Sequence, residues 1–285
     1  LTVGILHQSF ERYASRLPRA VRDEWAKIQG RFQDIVLANG AEESLDLIAR
    51  AISGGKAPAA AVAVASRMAG AVQARRGSAG SDLSDLLERC WPLHPVVAML
   101  LGPISRQRFG QNERSVFGFL ASAESSGFQD YLSSNMLGPG YLPAMLFDYL
   151  SANLGPAILA SGEGHRFSTS LDAIDRAAVR GSALHVTLAK CVTLIEMFGL
   201  GTGIAASAEV LMECVPDASE KPVSSALEDL TTWSVLVHRK HLDAFAVFAG
   251  SDFDLDAAVA AERVAITRFS MAERVMLPAV VAKRH

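Results

Sequence analysis

The stretch SVLVHRKHLDAFAVFA, residues 234–249, decides how the C-terminal half of this chain folds. Apolar residues recur with a period of two in Ser234–Arg239 and again in Ala244–Ala249, and the polar turn Lys240–Asp243 separates the two runs. A period of two is typical of strands, and a short polar turn between two such runs predicts a β-hairpin.

Three helices are predicted upstream of this hairpin. The first ends at Phe198, the second spans Ala206–Cys214, and the third begins at Pro222, since proline is favoured at the first helical position. Three helices followed by a hairpin is the element order of a winged-helix domain, which we predict for residues 181–253. A C-terminal helix is predicted in residues 254–285.

The rest of the chain divides into a short α/β segment and a long helical one. Residues 1–40 have the order strand, helix, helix, strand, with the strands at Leu1–Leu6 and Phe32–Leu37, which fits the end of an α/β unit. Residues 41–180 show helical periodicity repeatedly, so the predicted fold class is mainly α. Helices are predicted there at 42–52, 59–74, 81–89, 92–105, 113–122, 141–150 and 171–180, with a loop near 161–168.

Composition limits the classes of function. The 285 residues are half hydrophobic, with a mean hydropathy of +0.22, which is enough apolar material for a sizeable core. The net charge is −3 with a pI near 6.2, which argues against a protein dedicated to coating nucleic acid. Scattered cysteines, no signal peptide and no apolar run of about 18 residues predict a cytoplasmic protein that does not enter a membrane. Because the chain starts at Leu1 inside a strand-like run, we expect it to be a piece of a longer polypeptide.

The segment QNERSVFGFL, residues 111–120, predicts an anion site. Asn112 is a good N-cap, which places Arg114 in the first turn of a helix, where the dipole disfavours a cation by about 0.3–1 kcal/mol. A cation there is favourable when it shares an anion with the free N–H groups, and a nucleotide phosphate is the obvious candidate. The alternative is a surface arginine paired with Glu113 or another carboxylate.

Other motifs carry little chemistry. The chain has no GxxxxGK[ST] P-loop, and the glycines of GLGTG, residues 199–203, follow a helix rather than a strand, which predicts a helix–helix turn. The histidines lack metal-ligand spacing and the alternating aspartates of 252–256 lack the rest of a calcium loop, so no metal site is predicted. No nucleophile elbow supports a Ser/His/Asp triad, and His94 and His185 are expected to be satisfied structural residues.

Nucleic-acid binding depends on the third helix and on the hairpin turn. In a winged helix, the third helix enters the major groove of DNA. Here that helix carries two carboxylates, Glu228 and Asp229, and one cation, Lys221, so it would be repelled by phosphate. The hairpin turn is basic, and it either touches a nucleic-acid backbone or is an ordinary solvated tip. Its basic residues are His238, Arg239, Lys240 and His241.

Four longer segments carry a resemblance to a known family. They are LTVGILHQSFERYA (1–14), EWAKIQGRFQDIV (24–36), WPLHPVVAMLLGPISRQRFGQNERSVFGFL (91–120) and SVLVHRKHLDAFAVFAGSDFD (234–254). They resemble the large AAA+-like P-loop ATPases found with bacterial restriction and phage-defence gene clusters. QNERS and GSDFD are the most specific parts, and the resemblance runs over nearly the whole chain.

The resemblance implies an organisation for the chain. In such ATPases the nucleotide-binding core precedes the region present here. Residues 1–40 would therefore be the end of the α/β ATPase core, and residues 41–180 a helical lid and helical connector. His7 and Gln8 would follow the strand that ends in the sensor-1 position and would sense the γ-phosphate.

The same resemblance assigns the predicted anion site. Arg114 would be the lid or neighbour-facing arginine that stabilises charge on the transferred phosphate, in cis or in trans. Asn112 would bind nucleotide beside it, and Arg31 is a second candidate for the arginine role.

The nucleotide machinery is only partly present in this sequence. The Walker A and Walker B segments are absent, so ATP with Mg²⁺ is expected in the full-length parent and no cofactor is expected to bind this piece tightly. This piece alone is not expected to hydrolyse ATP. The expected partners are the upstream part of its own chain, other subunits or defence proteins, and DNA, but no membrane.

Three functions follow as hypotheses. The first is the C-terminal part of an ATPase, lid plus winged helix, which couples ATP binding and hydrolysis to a conformational change in a bacterial defence system. The second is a helical winged-helix module that binds a partner protein or DNA without a nucleotide role. The third is a non-specific nucleic-acid binder that acts through the hairpin.

Overall fold

A computed structural model describes residues 17–32, 41–52, 55–76, 82–107, 116–134 and 138–250. Within these ranges the chain forms twelve helices and one two-stranded antiparallel sheet, which confirms the prediction of a mainly α protein. The helices are α1 (Arg19–Gln29), α2 (Ala41–Ala51), α3 (Ala59–Arg75), α4 (Leu83–Arg89), α5 (Pro95–Arg106), α6 (Val116–Leu120), α7 (Phe128–Ser133), α8 (Pro143–Leu159), α9 (Gly164–Arg180), α10 (Ala183–Phe198), α11 (Ala208–Glu213) and α12 (Glu220–Thr232). The strands are β1 (Leu236–Arg239) and β2 (Ala244–Val247).

Helix α10 lies at the centre of this arrangement. Its sequence, ALHVTLAKCVTLIEMF, is apolar on almost every side, which is typical of a helix surrounded by protein. It packs against α5, α8, α9, α11 and α12 and against strand β2. One continuous hydrophobic core runs from Leu45 to Val247 around it, so the helices and the hairpin share their packing.

Helix α5 is the second buried helix. Most of PVVAMLLGPISR is buried, and Pro95 occupies the first helical position that favours proline. The segment just before it is held by Tyr141, whose N–H donates to the Pro92 carbonyl at 2.8 Å and whose carbonyl accepts from the His94 N–H at 3.1 Å. This bridge delays the start of the helix to Pro95, three residues later than predicted.

The third predicted helix and the hairpin follow the sequence pattern closely. Leu236 pairs with Val247 and Arg239 with Ala244, so the strands are two residues shorter at their outer ends than predicted. Leu236 and its partner Val247 are both buried, and three of the four residues of β2 are buried. The order of α10, α11, α12, β1 and β2 is the predicted order of three helices and a hairpin.

The largest errors concern α7, α8 and α9. Helix α7 was not predicted, and α8 continues to Leu159, well past the predicted end at Leu150. The predicted loop at 161–168 is mostly helix, because α9 begins at Gly164. A Cβ on Gly164 would lie only 2.0 Å from the Leu159 carbonyl oxygen, so glycine lets the chain turn from α8 directly into α9.

Some predicted elements lie outside the described residues. These are the strand at 1–6, all but Leu17 of the helix predicted directly after it, most of the strand at 32–37 and the C-terminal helix in 254–285. Of the predicted helix at 113–122, the structure describes residues 116–122, and α6 forms only Val116–Leu120 of them.

The GLGTG segment is a helix–helix turn, as predicted. Gly199 caps α10, and Gly201 and Gly203 adopt positive φ angles of 80° and 85°. The buried Thr202 hydroxyl donates to the Gly199 carbonyl at 2.7 Å and accepts from the Ile204 N–H at 3.1 Å. The Thr202 hydroxyl therefore stabilises the turn itself.

Replacing Gly203 with alanine should destabilise the protein more than replacing Gly201. Positive φ strains either alanine, but a Cβ on Gly203 would also lie 2.9 Å from Val72 Cγ1, whereas one on Gly201 would meet no atom within 4 Å. We expect Gly203→Ala to lower the free energy of unfolding by about 1–3 kcal/mol more than Gly201→Ala in urea denaturation. Equal losses would contradict close packing of this turn on α3.

Candidate functional site

Most of the residues predicted to meet a nucleotide lie outside the described part of the chain. These are His7, Gln8, Asn112 and Arg114. Arg31 is described, and it is exposed just beyond the end of α1, a helix that buries none of its side chains. The structure therefore brings none of these residues together within its described ranges.

The hairpin turn is held against the helical body by Arg75. The guanidinium, in the last turn of α3, donates from Nη1 to the Leu242 carbonyl at 2.8 Å and from Nη2 to the Asp243 carbonyl at 2.9 Å. These two parallel bonds use the fork geometry of arginine to fix both position and orientation. Because both acceptors are carbonyls, the positive charge of Arg75 is not cancelled.

Glu196 attaches the strands of the hairpin to α10. Its carboxylate accepts from the buried Val247 N–H at 2.8 Å and from Arg239 Nη2 at 3.2 Å, and its side chain is only 19% exposed. One carboxylate thus contacts both β1 and β2. A charge-assisted bond to a backbone N–H in a protected place is worth more than an exposed ion pair.

The basic hairpin turn is partly neutralised by acids close to it. Arg239 pairs with Glu196, and His238 Nε2 lies 3.3 Å from Asp243 Oδ1 while its ring packs on Phe245. Lys240 is exposed, and none of the described ion pairs engages it. The predicted nucleic-acid cluster therefore offers one fully available cation.

Removing the Glu196 carboxylate should loosen the hairpin. We expect Glu196→Ala to lower the free energy of unfolding by about 1–3 kcal/mol, because the Val247 N–H loses its acceptor in a buried place. Glu196→Gln keeps an acceptor oxygen and should cost less. Urea denaturation measures the stability, and hydrogen exchange of the Val247 amide reports the local effect.

A matched control is available on α12. Glu228 is exposed, so Glu228→Ala should change the free energy of unfolding by less than about 0.5 kcal/mol. Similar losses in Glu196→Ala and Glu228→Ala, or unchanged exchange at Val247, would contradict the anchoring role of Glu196.

A second polar junction joins α3, α5 and α11. Arg67 forms a bidentate ion pair with Glu213, with Nη2 2.8 Å from Oε2. His94, only 4% exposed, accepts the Val96 N–H at Nδ1 and donates from Nε2 to the Glu213 carbonyl at 3.0 Å. Both ring nitrogens are satisfied, so His94 is structural, as predicted.

Burial sets the charge state of His94. Desolvation lowers its pKa to about 4, against the opposing effects of the Glu213 carbonyl and carboxylate. The ordinary pKa of histidine is about 6.5, so between pH 4 and pH 6.5 the unfolded chain binds a proton that the folded chain does not. Stability should therefore fall as the pH drops through this window and level off below it.

The pH dependence gives a test. Between pH 7 and pH 5, His94 should remove about 2 kcal/mol from the free energy of unfolding, as calculated by proton linkage. We expect His94→Asn, which keeps a capping oxygen for the Val96 N–H but cannot titrate, to lose less stability over this range than the parent chain. Parallel stability–pH curves for the two chains would refute this assignment.

Ser182, His185 and Asp229 form the closest arrangement to a catalytic triad in the described residues. Ser182 Oγ lies 3.0 Å from His185 Nδ1, and His185 Nε2 lies 3.4 Å from Asp229 Oδ2. However, Nδ1 also accepts the Ser182 backbone N–H at 3.0 Å, and Ser182 Oγ accepts an N–H of α10 in a capping box. Ser182 and His185 therefore cap α10, and His185 also links it to Asp229 of α12. Neither Ser182 Oγ nor His185 Nδ1 is free to act as nucleophile or base.

The three cysteines all lie within the described residues, and their surroundings do not activate them. Cys90, Cys191 and Cys214 are free and buried. Burial raises the pKa of the Cys90 thiol to about 12, and the Cys191 hydrogen bond and burial raise that of Cys214 well above its ordinary value. Thiols in this state are poor nucleophiles. Among the described residues, no cluster of three His, Cys, Asp or Glu side chains is placed to hold a metal ion.

Comparison with known protein families, with curated protein sequences and with solved structures gave no match. Over the ranges that the structure covers, the helices are all too short or too polar to cross a bilayer. The functional assignment therefore depends on the residues themselves.

Proposed function

We propose that this chain is the lid and winged-helix part of an AAA+-like ATPase that couples ATP binding and hydrolysis to a conformational change in a bacterial defence system. ATP and Mg²⁺ would bind mainly to the upstream part of the same polypeptide. The residues of 1–40 would complete the α/β core, and Arg114, with Asn112, His7 and Gln8, would meet the phosphates.

The element order supports the winged-helix part of this proposal. Helices α10, α11 and α12 are followed directly by the hairpin of β1 and β2. The helices of 41–180 precede them and share one core with them, which is the order that a lid followed by a winged helix requires.

The observation that carries the proposal is the attachment of the hairpin to the helical body at both ends. Arg75 holds the turn to α3, and Glu196 holds the strands to α10. Coupling between distant sites needs elements that move together, and an interface fixed by charge-assisted hydrogen bonds on a continuous core meets this need. A displacement of the helical body by nucleotide would therefore displace the winged helix with it.

Arginine 114 provides the decisive experiment. In the natural gene product that contains this chain, Arg114→Ala should reduce the rate of ATP hydrolysis by at least about tenfold, because an arginine on the transferred phosphate contributes strongly to such reactions. Steady-state phosphate release measures the rate. Arg180→Ala, which removes an exposed arginine at the end of α9, is the matched control and should leave the rate unchanged.

Two results would count against the ATPase function. One is a gene product that hydrolyses ATP at the same rate with and without Arg114. The other is a gene product that does not bind ATP at all in equilibrium titration with Mg²⁺ present.

A module that binds a partner protein without a nucleotide role is the second candidate. Two observations favour it. On the surface of α12, the exposed carboxylates of Glu220 and Glu228 outnumber the single cation of that helix, Lys221. In the hairpin, Arg239 and His238 each lie beside an acidic side chain. Such a surface repels phosphate and disfavours DNA as the partner.

A further inference from the structure

An open groove lies between α3, α4, α11 and the segment before α8. The space within it, counted out to the solvent at its mouth, is about 380 Å³, so it is a shallow groove that suits a ligand no larger than a side chain. Most of its lining is apolar, and the walls include Val64, Trp91, Pro139 and Pro216. Prolines and a tryptophan packed on backbone form rigid walls, and Gly140 lets the Trp91 ring lie against the chain.

The polar groups in this lining are satisfied except for one. His94 uses both ring nitrogens, and the Glu213 carboxylate is paired with Arg67. Glu88 is half-buried in the lining, and none of the described hydrogen bonds or ion pairs engages its carboxylate. A partly buried carboxylate beside an aromatic ring attracts a cation.

The rim of the groove adds negative charge. Asp85 lies one helical turn before Glu88 on α4, Glu209 lies one turn before Glu213 on α11, and Asp217 follows Pro216. Residues three or four apart share a helix face, so Asp85 and Glu209 lie on the same helix faces as the lining residues Glu88 and Glu213. Arg67, the cation that contacts the lining residue Glu213, is already committed to that carboxylate.

We propose that this groove binds an arginine side chain presented by a partner polypeptide. The methylene stem packs against the apolar walls, and the guanidinium lies between the Trp91 ring and the Glu88 carboxylate, where cation–π attraction and charge act together. The acidic rim steers basic segments toward the groove and repels nucleic acid. Binding in this groove does not require ATP, so its test is separate from the test of the proposed ATPase function.

A pair of small probes tests the chemistry on the whole chain. Butylguanidinium carries the arginine head and stem, and butylurea has nearly the same shape without the charge. Each is titrated into ¹⁵N-labelled protein while the indole N–H signals of the three tryptophans are followed by NMR. We expect butylguanidinium to shift the Trp91 signal with a dissociation constant in the millimolar range, and butylurea to shift it little.

Two variants distinguish charge-dependent binding in the groove from non-specific binding. Glu88→Gln should weaken butylguanidinium binding by at least about fivefold, because the cation loses its carboxylate. Asp172→Asn, which removes an exposed carboxylate on α9, should leave binding unchanged. Trp91→Phe assigns the indole signal, and the Glu88→Gln result does not depend on whether that variant folds.

Three outcomes would overturn the proposal. The first is equal binding of butylguanidinium and butylurea, which would make the groove merely apolar. The second is equal affinity in the Glu88→Gln variant and the parent chain. The third is an unchanged Trp91 signal at 50 mM probe, roughly ten times the expected dissociation constant. This outcome counts whether Trp25 or Trp233 responds or none of the three signals does.

Discussion

The structure depends on the burial of α10. Its apolar side chains meet neighbours on almost every side, and full burial of each large one stabilises the fold by about 1.5–3 kcal/mol. Three polar residues on the same helix each reach a different neighbour. His185 stacks on Trp233 after α12, Lys190 Nζ lies 2.7 Å from Asp148 Oδ1 on α8, and Glu196 binds the hairpin. Apolar burial is not directional, so these polar contacts select the rotation of α10 relative to each neighbour.

Helix α3 separates two surfaces of opposite charge. Its first half lines the apolar groove, which contains Glu88 and Glu213, whereas Arg75 at its C-terminal end binds the hairpin turn that carries Lys240. The guanidinium of Arg75 binds carbonyls, so it contributes net positive charge there. Charged patches direct which partners approach which face, more than they determine how tightly the partners bind. A basic segment and an acidic one would therefore meet this protein on different faces.

Local patterns in the sequence predicted much of the fold but little of the site. The hairpin, the GLGTG turn and most helices of 41–232 follow from periodicity, proline and glycine, which act within a few residues. Helix α9 was predicted to begin late because the early start depends on the packing of Gly164 against the Leu159 carbonyl, a contact invisible in periodicity. The contacts that hold the hairpin join Arg75 to residues 167 and 168 positions away, and Glu196 to one 51 positions away. A single sequence contains no signal for such pairs, since an arginine or glutamate that makes a distant contact cannot be distinguished in it from one that does not.

Helix α1 carries an uncovered apolar stripe that both candidate functions must explain. Val21 and Ile28, and Phe32 just beyond the helix, fall on one side of an α-helical repeat, yet these side chains are 39%, 51% and 50% exposed. Leaving three large apolar side chains in water on one face is unfavourable, so such a face calls for a covering surface. The α/β core of an ATPase supplies one, because helices beside a parallel sheet bury one apolar stripe against it. The partner of an interaction module would cover the same stripe, so α1 marks a contact face under either function.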